Sequence, residues 1–174
     1  KQKTAYEVLR SLVGSEMCIR DRSGTRPEML WGKVAASQTF KKGEFVKKDT
    51  NGRIVVCTSD DTAILGMAAM DAPDTADKDM SYYPANDDTL FILNVTGAVT
   101  SQNILASNAS EYGLLVSNNI HYVDLSDTTN KVFKIRDICV GRISLNSDGH
   151  WVSEALGDTY GHVIAQILPS IRQL

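Results

Sequence analysis

Thr39 to Asp71, TFKKGEFVKKDTNGRIVVCTSDDTAILGMAAMD, is the stretch that decides how the rest of the chain is read. Glu44 to Lys47 and Ile54 to Thr58 are short β-favouring runs, and Asn51-Gly52 between them is a dipeptide whose residues accept the positive φ of a tight hairpin turn. Gly43 precedes the first run, and Gly66 lies inside a third, Ile64 to Ala69. Each run is bounded by Gly, Asn, Asp or Ser and is too short for an ordinary helix, so the pattern predicts hairpin-connected strands.

The same rhythm extends outward in both directions. Upstream it predicts a strand at Trp31 to Ala36, and downstream strands at Met80 to Pro84 and Leu90 to Val95. After a less regular connection come Gly113 to Ser117, His121 to Leu125, Val132 to Ile135, Val140 to Leu145, Trp151 to Glu154 and His162 to Leu168. Asp148-Gly149, between Ile143 and Val152, is a second hairpin signal. Only Ser101 to Tyr112, through Ile104, Leu105 and Ala106, carries a short helical pattern. Many short strands with turn residues between them specify an all-β fold, a small β-barrel or β-sandwich in one body or two lobes. The acidic Asp71 to Asp79 and the polar Thr100 to Ser110 are the candidate surface loops, and the lobes are expected at 23–99 and 100–174.

Lys1 to Arg22, KQKTAYEVLRSLVGSEMCIRDR, does not share this rhythm. Ala5, Val8, Leu9, Leu12, Val13 and Met17 recur at helical spacing. Read as codons, however, Lys1 to Glu7 is what AAG CAG AAG ACG GCA TAC GAG encodes, which resembles a flow-cell adapter of short-read sequencing. Leu12 to Asp21 is what CTC GTG GGC TCG GAG ATG TGT ATA AGA GAC encodes, which resembles a transposase adapter used in library preparation. Both lie in one frame, with a variable index between them. Val8 departs by one base from the expected codon. Residues 1–22 are therefore read as adapter-derived and non-native, and are set aside from fold reasoning. An adapter can join genomic DNA anywhere within a gene, so the native N-terminus is allowed to lie upstream of Ser23.

The whole chain carries 18 basic and 21 acidic residues, a net charge of −3. Without the five basic and three acidic residues of 1–22, the remainder is about −5. No basic patch with interleaved aromatics occurs, which disfavours a nucleic-acid partner. Two cysteines, Cys57 and Cys139, remain outside the adapter-derived segment, too few for a disulfide framework; a reducing compartment is expected during assembly. Both have apolar sequence neighbours and read as inert thiols. Asn94-Val95-Thr96 and Asn108-Ala109-Ser110 match the glycosylation acceptor pattern by chance, since no secretory signal accompanies them. The apolar runs Ile64 to Met70 and Leu90 to Leu93 are too short for a membrane-spanning helix, and a soluble protein is expected.

Motifs of catalysis are missing from the sequence. There is no G-x-S-x-G elbow and no phosphate-cradling G-x-G-x-x-G or G-x-x-x-x-G-K. His121, His150 and His162 are dispersed without the spacing of a helical zinc pair. Asp71, Asp74, Asp77 and Asp79 lack the register of a calcium loop and read as a solvated acidic loop. No cofactor and no metal are expected. Trp31, Phe45, Phe91, Phe133 and Trp151 sit in or at the edges of strands and are expected in the core.

The Thr39–Asp71 segment resembles small bacteriophage capsid cement, or head decoration, proteins. The pattern has a glycine before a hydrophobic strand ("KKGEFVKK"), an Asn-Gly hairpin ("DTNGRIVV"), a polar Asp/Ala segment, and then "ILG" before a small-residue strand; Gly43, Gly52 and Gly66 occupy the glycine places. "YYPANDDTLFILNVTGAV" and "GDTYGHVIAQILP" are similar to phage virion structural sequences. The resemblance implies a non-enzymatic virion protein that binds and stabilises the capsid surface. Its partner would be the major capsid protein of a phage shell, commonly with the decoration protein as a homo-oligomer, assembled in the bacterial host cytoplasm without nucleic acid or membrane. The family's usual member is shorter, which makes residues 100–174 an extension or second lobe. Two other functions are compatible with the residues. A carbohydrate-binding or adhesion β-sandwich would use Tyr82 and Tyr83 beside Asp79, Asp87 and Asp88. A hydrolase on a β-barrel would have to draw on His162, Asp158 and Ser153, which no motif fixes together.

Overall fold

The computed structural model describes residues 28–98, 110–139 and 161–173 with their side chains, and 19–20, 143–145 and 151–153 as strands. The fold is all-β. Its strands are β1 (Ile19–Arg20), β2 (Leu30–Lys33), β3 (Phe45–Lys48), β4 (Ile54–Val56), β5 (Gly66–Ala68), β6 (Asp79–Pro84) and β7 (Leu90–Val95). They continue with β8 (Glu111–Ser117), β9 (Ile120–Asp124), β10 (Phe133–Ile138), β11 (Ile143–Leu145), β12 (Trp151–Ser153) and β13 (His162–Ile167), followed by one 3-10 turn at Pro169–Ile171. Every strand predicted between Trp31 and Leu168 is present, shifted or trimmed by a few residues at its ends. β1 is the exception: the segment with a helical pattern contributes a two-residue strand at Ile19–Arg20, paired to Phe91 and Leu90 of β7.

Two bodies result. The first is a five-stranded antiparallel sheet in the order β2-β6-β5-β3-β4. It curls until its two ends touch, through a parallel bridge between Val34 and Ile54 and a hydrogen bond from the Ala35 N–H to the Ile54 carbonyl. The second is a closed five-stranded barrel in the order β7-β13-β10-β8-β9, completed by the parallel pairing of β9 with β7. Closure leaves fewer backbone donors and acceptors at open edges. Thr96 extends the closing seam: its N–H donates to the Val123 carbonyl and its hydroxyl to Asp124 Oδ1. β11 and β12 form a separate hairpin. The chain passes from sheet to barrel through the Asn86–Thr89 turn, where Asn86 Oδ1 accepts from the N–H groups of Asp88 and Thr89 and from the Thr89 hydroxyl. Leu90–Val95, expected in the first lobe, is thus a stave of the barrel.

One apolar core joins the two bodies. Phe45, Ile64 and Met67 of the sheet are buried together with Phe91, Leu93, Leu114, Phe133, Val163 and Ile167 of the barrel. Phe45 is the joint, with its ring 5.5 Å from Phe91 in an edge-to-face arrangement and 5.2 Å from Phe133, favourable aromatic geometries. A second cluster, including Val34, Phe40, Ile54, Leu65, Met80 and Tyr82, fills the curl of the sheet. The tail then fastens one body to the other. Ile64 N–H donates to the Ile171 carbonyl and Gln173 N–H to the Ile64 carbonyl, while Gln173 Oε1 accepts from the Lys48 N–H.

Candidate functional site

The turn residues singled out in the sequence are the first feature to place. Gly43 and Gly52 have φ of 95° and 75°, the left-handed region in which glycine escapes the Cβ penalty. Gly66 is required for a different reason: a Cβ there would overlap the Tyr83 carbonyl across the β5–β6 pair. Asn51-Gly52 is not the expected two-residue turn. Lys48 pairs with Ile54, so the connection runs over residues 49–53, and only Gly52 of the dipeptide has a positive φ. Asp49 organises this longer loop, its Oδ1 accepting from the N–H groups of Asn51 and Arg53, a local side-chain substitute for turn hydrogen bonds. The tight two-residue hairpin is instead Asn118-Asn119, with φ of 51° and 60°, between the paired Ser117 and Ile120. Its signal was in the sequence, since asparagine is the commonest substitute for glycine at such positions. Asp148 and Gly149 lie outside the described residues; Leu145 pairs with Trp151 on either side of them.

The acidic stretch Asp71–Asp79 is tied back to the sheet at three points. Asp71 accepts from Lys41 Nζ and the Lys42 N–H, Asp77 pairs with Arg53, and Asp79 pairs with Lys33 at 2.8 Å. These pairs are solvent-exposed, so each adds little stability, but together they hold the loop in one course. No group of three or more metal-ligating side chains occurs among the described residues.

The most perturbed titratable groups lie under the joint between sheet and barrel. His121 of β9 is buried, and its Nδ1 accepts the Phe45 N–H at 3.2 Å. The ring proton is therefore on Nε2, which is buried and has no hydrogen-bond partner among the described residues. Burial pushes the imidazole pKa down to about 4, against an opposing pull from Asp61. Asp61 is itself paired with Lys47 and accepts from the Thr58 N–H and hydroxyl. Burial first, and the Asp61 charge second, push the Cys57 thiol far up, so this cysteine is chemically quiet. The arrangement is a structural pin. A neutral, hidden imidazole is a poor acid or base for anything in solvent.

The hydrolase trio does not assemble among the described residues, because Asp158 and the Ser153 side chain lie outside them. Tyr82 and Tyr83 are buried, which leaves neither ring available as a sugar-stacking platform. Phe45, Phe91 and Phe133 are core residues as expected; the Trp151 side chain lies outside the described residues.

Trp31 overturns its expectation. It is 65% exposed, beside Leu30 at 41% and Met29 at 42%, the three exposed large apolar residues among those described. Strand position is the physical reason: β2 lies at an end of the sheet order and pairs with β6 alone along Leu30–Lys33, so the Trp31 ring has no further strand beside it to pack on. No protein-family model matches the chain, and no curated protein matches it.

Proposed function

We propose that the chain from Ser23 onward is a virion structural protein that binds an assembled bacteriophage shell and stabilises it. In this reading it acts by surface contact rather than by catalysis, as a homo-oligomer on the major capsid protein, and it reaches the capsid surface after synthesis in the host cytoplasm. The supporting observation is that Thr39–Asp71, the segment carrying the family resemblance, contributes three of the five strands of the curled sheet, with Gly43 and Gly52 at positive φ and Gly66 beneath the Tyr83 carbonyl. Decoration asks for a rigid module presenting loops and edges to a repeated lattice. A shared core and a tail strap give that rigidity here. Multivalent placement then converts modest single contacts into stable coverage.

The experiment is the thermal breakdown of undecorated shells, assembled from the capsid protein of the same genome, with and without the purified protein. Shell breakdown moves to higher temperature, and chelator resistance rises, only when the protein is added. An unchanged breakdown temperature at saturating protein would overturn the proposal.

A further inference from the structure

Asn51-Gly52 is the chain's one Asn-Gly dipeptide. An asparagine carries its own electrophile, the side-chain carbon Cγ, and the backbone nitrogen of the next residue is a nucleophile that can close a ring onto it. Glycine hinders that closure least, because it has no Cβ. The fold leaves this pair open to water. Both residues are exposed, and nothing lies within 4 Å of the place a Gly52 Cβ would occupy. Asn51 is tied through its backbone, its N–H donating to Asp49 Oδ1. Other asparagines are held differently. Asn86 Oδ1 accepts three hydrogen bonds, Asn94 is buried, and Asn119 precedes the β-branched Ile120.

The same loop restrains the reaction that the dipeptide favours. Gly52 N–H donates to the Asp49 carbonyl at 3.0 Å, and Asp49 N–H to the Arg53 carbonyl at 2.8 Å, so the nucleophilic nitrogen is committed across the turn. Asp49 Oδ1 also holds the N–H groups on either side of it, those of Asn51 and Arg53, each at 2.8 Å. The turn bond has to break before the Gly52 nitrogen can rotate under Asn51 Cγ. Exposed loops open locally far more readily than the whole protein unfolds.

From this geometry we infer that Asn51 is a self-modification site, converted to aspartate and isoaspartate through a succinimide at a rate set by opening of the Asp49 turn. The Gly52 nitrogen forms a bond to Asn51 Cγ, the Cγ–NH2 bond breaks, and ammonia leaves with the Gly52 proton. Water then opens the ring. Cleavage between the nitrogen and Cγ gives aspartate. Cleavage between the nitrogen and the former main-chain carbonyl carbon gives isoaspartate, whose backbone runs through the side chain and is longer by a methylene. Either product places a new negative charge in the loop that already holds Asp49. The longer one shifts Gly52 out of register with the Asp49 carbonyl, beside the point where Gln173 fastens the tail to Lys48. The inference does not depend on the decoration reading.

The test is incubation of the full chain at mildly alkaline pH, folded or in urea, followed by brief trypsin digestion. Cleavage after Lys48 and Arg53 releases residues 49–53, whose Asn, Asp and isoAsp forms are separated by chromatography and identified by mass spectrometry. The folded chain accumulates both products at residue 51, and the chain in urea does so several-fold faster. Asp49→Ala, which removes two capping hydrogen bonds, raises the folded rate by about 10-fold and leaves the rate in urea unchanged. Gly52→Ala slows the reaction in both conditions. The comparison of folded with unfolded chain needs no variant, so it stands even where Asp49→Ala loosens the hairpin. Absence of isoaspartate at residue 51 in the folded chain overturns the site. Equal rates folded and in urea, or a folded rate that Asp49→Ala leaves unchanged, overturn control by the turn.

Discussion

Lowering the pH from 7 to 4.5 tests the joint between the two bodies through one imidazole. His121 is held neutral by burial, with its pKa pushed down to about 4 from the usual 6.5. The unfolded chain therefore takes up a proton at a pH where the native chain does not. Stability is fully present above about 6.5, falls as pH drops toward 4, and stops falling below that, when both states are charged. At 1.36 kcal/mol per unit, the full loss is about 3 kcal/mol, most of it spent by pH 4.5. The charge that acts on His121 and the nearest shifted carboxylate on its strand do not mask this. Asp61 is paired with Lys47, and Asp124 titrates lower still: partial burial raises its pKa, but hydrogen bonds from Ser126, Thr96 and Asp127 outweigh that and hold it below the usual value. Its contribution is thus lost only under more acidic conditions. The assay is urea unfolding at a series of pH values, repeated on His121→Asn, whose Oδ1 can accept the Phe45 N–H in place of Nδ1 without titrating. The variant should lose most of the slope between pH 7 and 4.5. An identical slope in both proteins would refute the assignment of that window to His121.

Three further perturbations separate causes that look alike on paper. Gly66→Ala, whose Cβ overlaps the Tyr83 carbonyl, should cost about 3 kcal/mol or more, whereas Gly52→Ala meets open space and should cost about 1 kcal/mol for its positive φ; denaturant midpoints in the reverse order would contradict this. The Arg172 side chain is 4% exposed, against 82% for its ion partner Asp87, and it donates through Nε and Nη2 to the Ile167 carbonyl. Arg172→Ala should therefore cost about 2 kcal/mol and Asp87→Asn well under 1 kcal/mol, and equal losses would mean that the ion pair, not the tail anchor, carries the effect. Among the described residues, a chain beginning at Ser23 loses the Ile19–Arg20 pairing to β7; a drop of more than about 2 kcal/mol in unfolding free energy, the worth of a well-packed apolar side chain, would show that residues 1–22 belong to the native fold.

The strands were legible because their signal is local: alternation and turn chemistry lie within a few residues of each other, and the runs from Trp31 to Leu168 could be read one at a time. Barrel closure was not legible, since the parallel pairing of Asn94–Val95 with Tyr122–Val123 joins segments far apart in sequence and leaves no periodicity. Asn51-Gly52 was read as the turn itself, when Asp49 two residues earlier reorganises the loop by capping its amides. Asn118-Asn119 carries the same chemistry without glycine, a weaker sequence signal for the same turn. Trp31 was expected in the core because composition cannot distinguish an edge strand from an inner one. His121 gave no signal at all: an isolated histidine becomes an interior pin only when Phe45, 76 residues away, offers it a backbone N–H.

The measurement that bears most directly on the decoration proposal is the number of copies bound per shell. Purified protein titrated onto undecorated shells of the same genome's capsid protein, and sedimented with them, is predicted to saturate at a fixed ratio of copies to capsid subunits and to ignore shells of unrelated phages. Binding that never saturates, or that is equal on unrelated shells, would contradict the account.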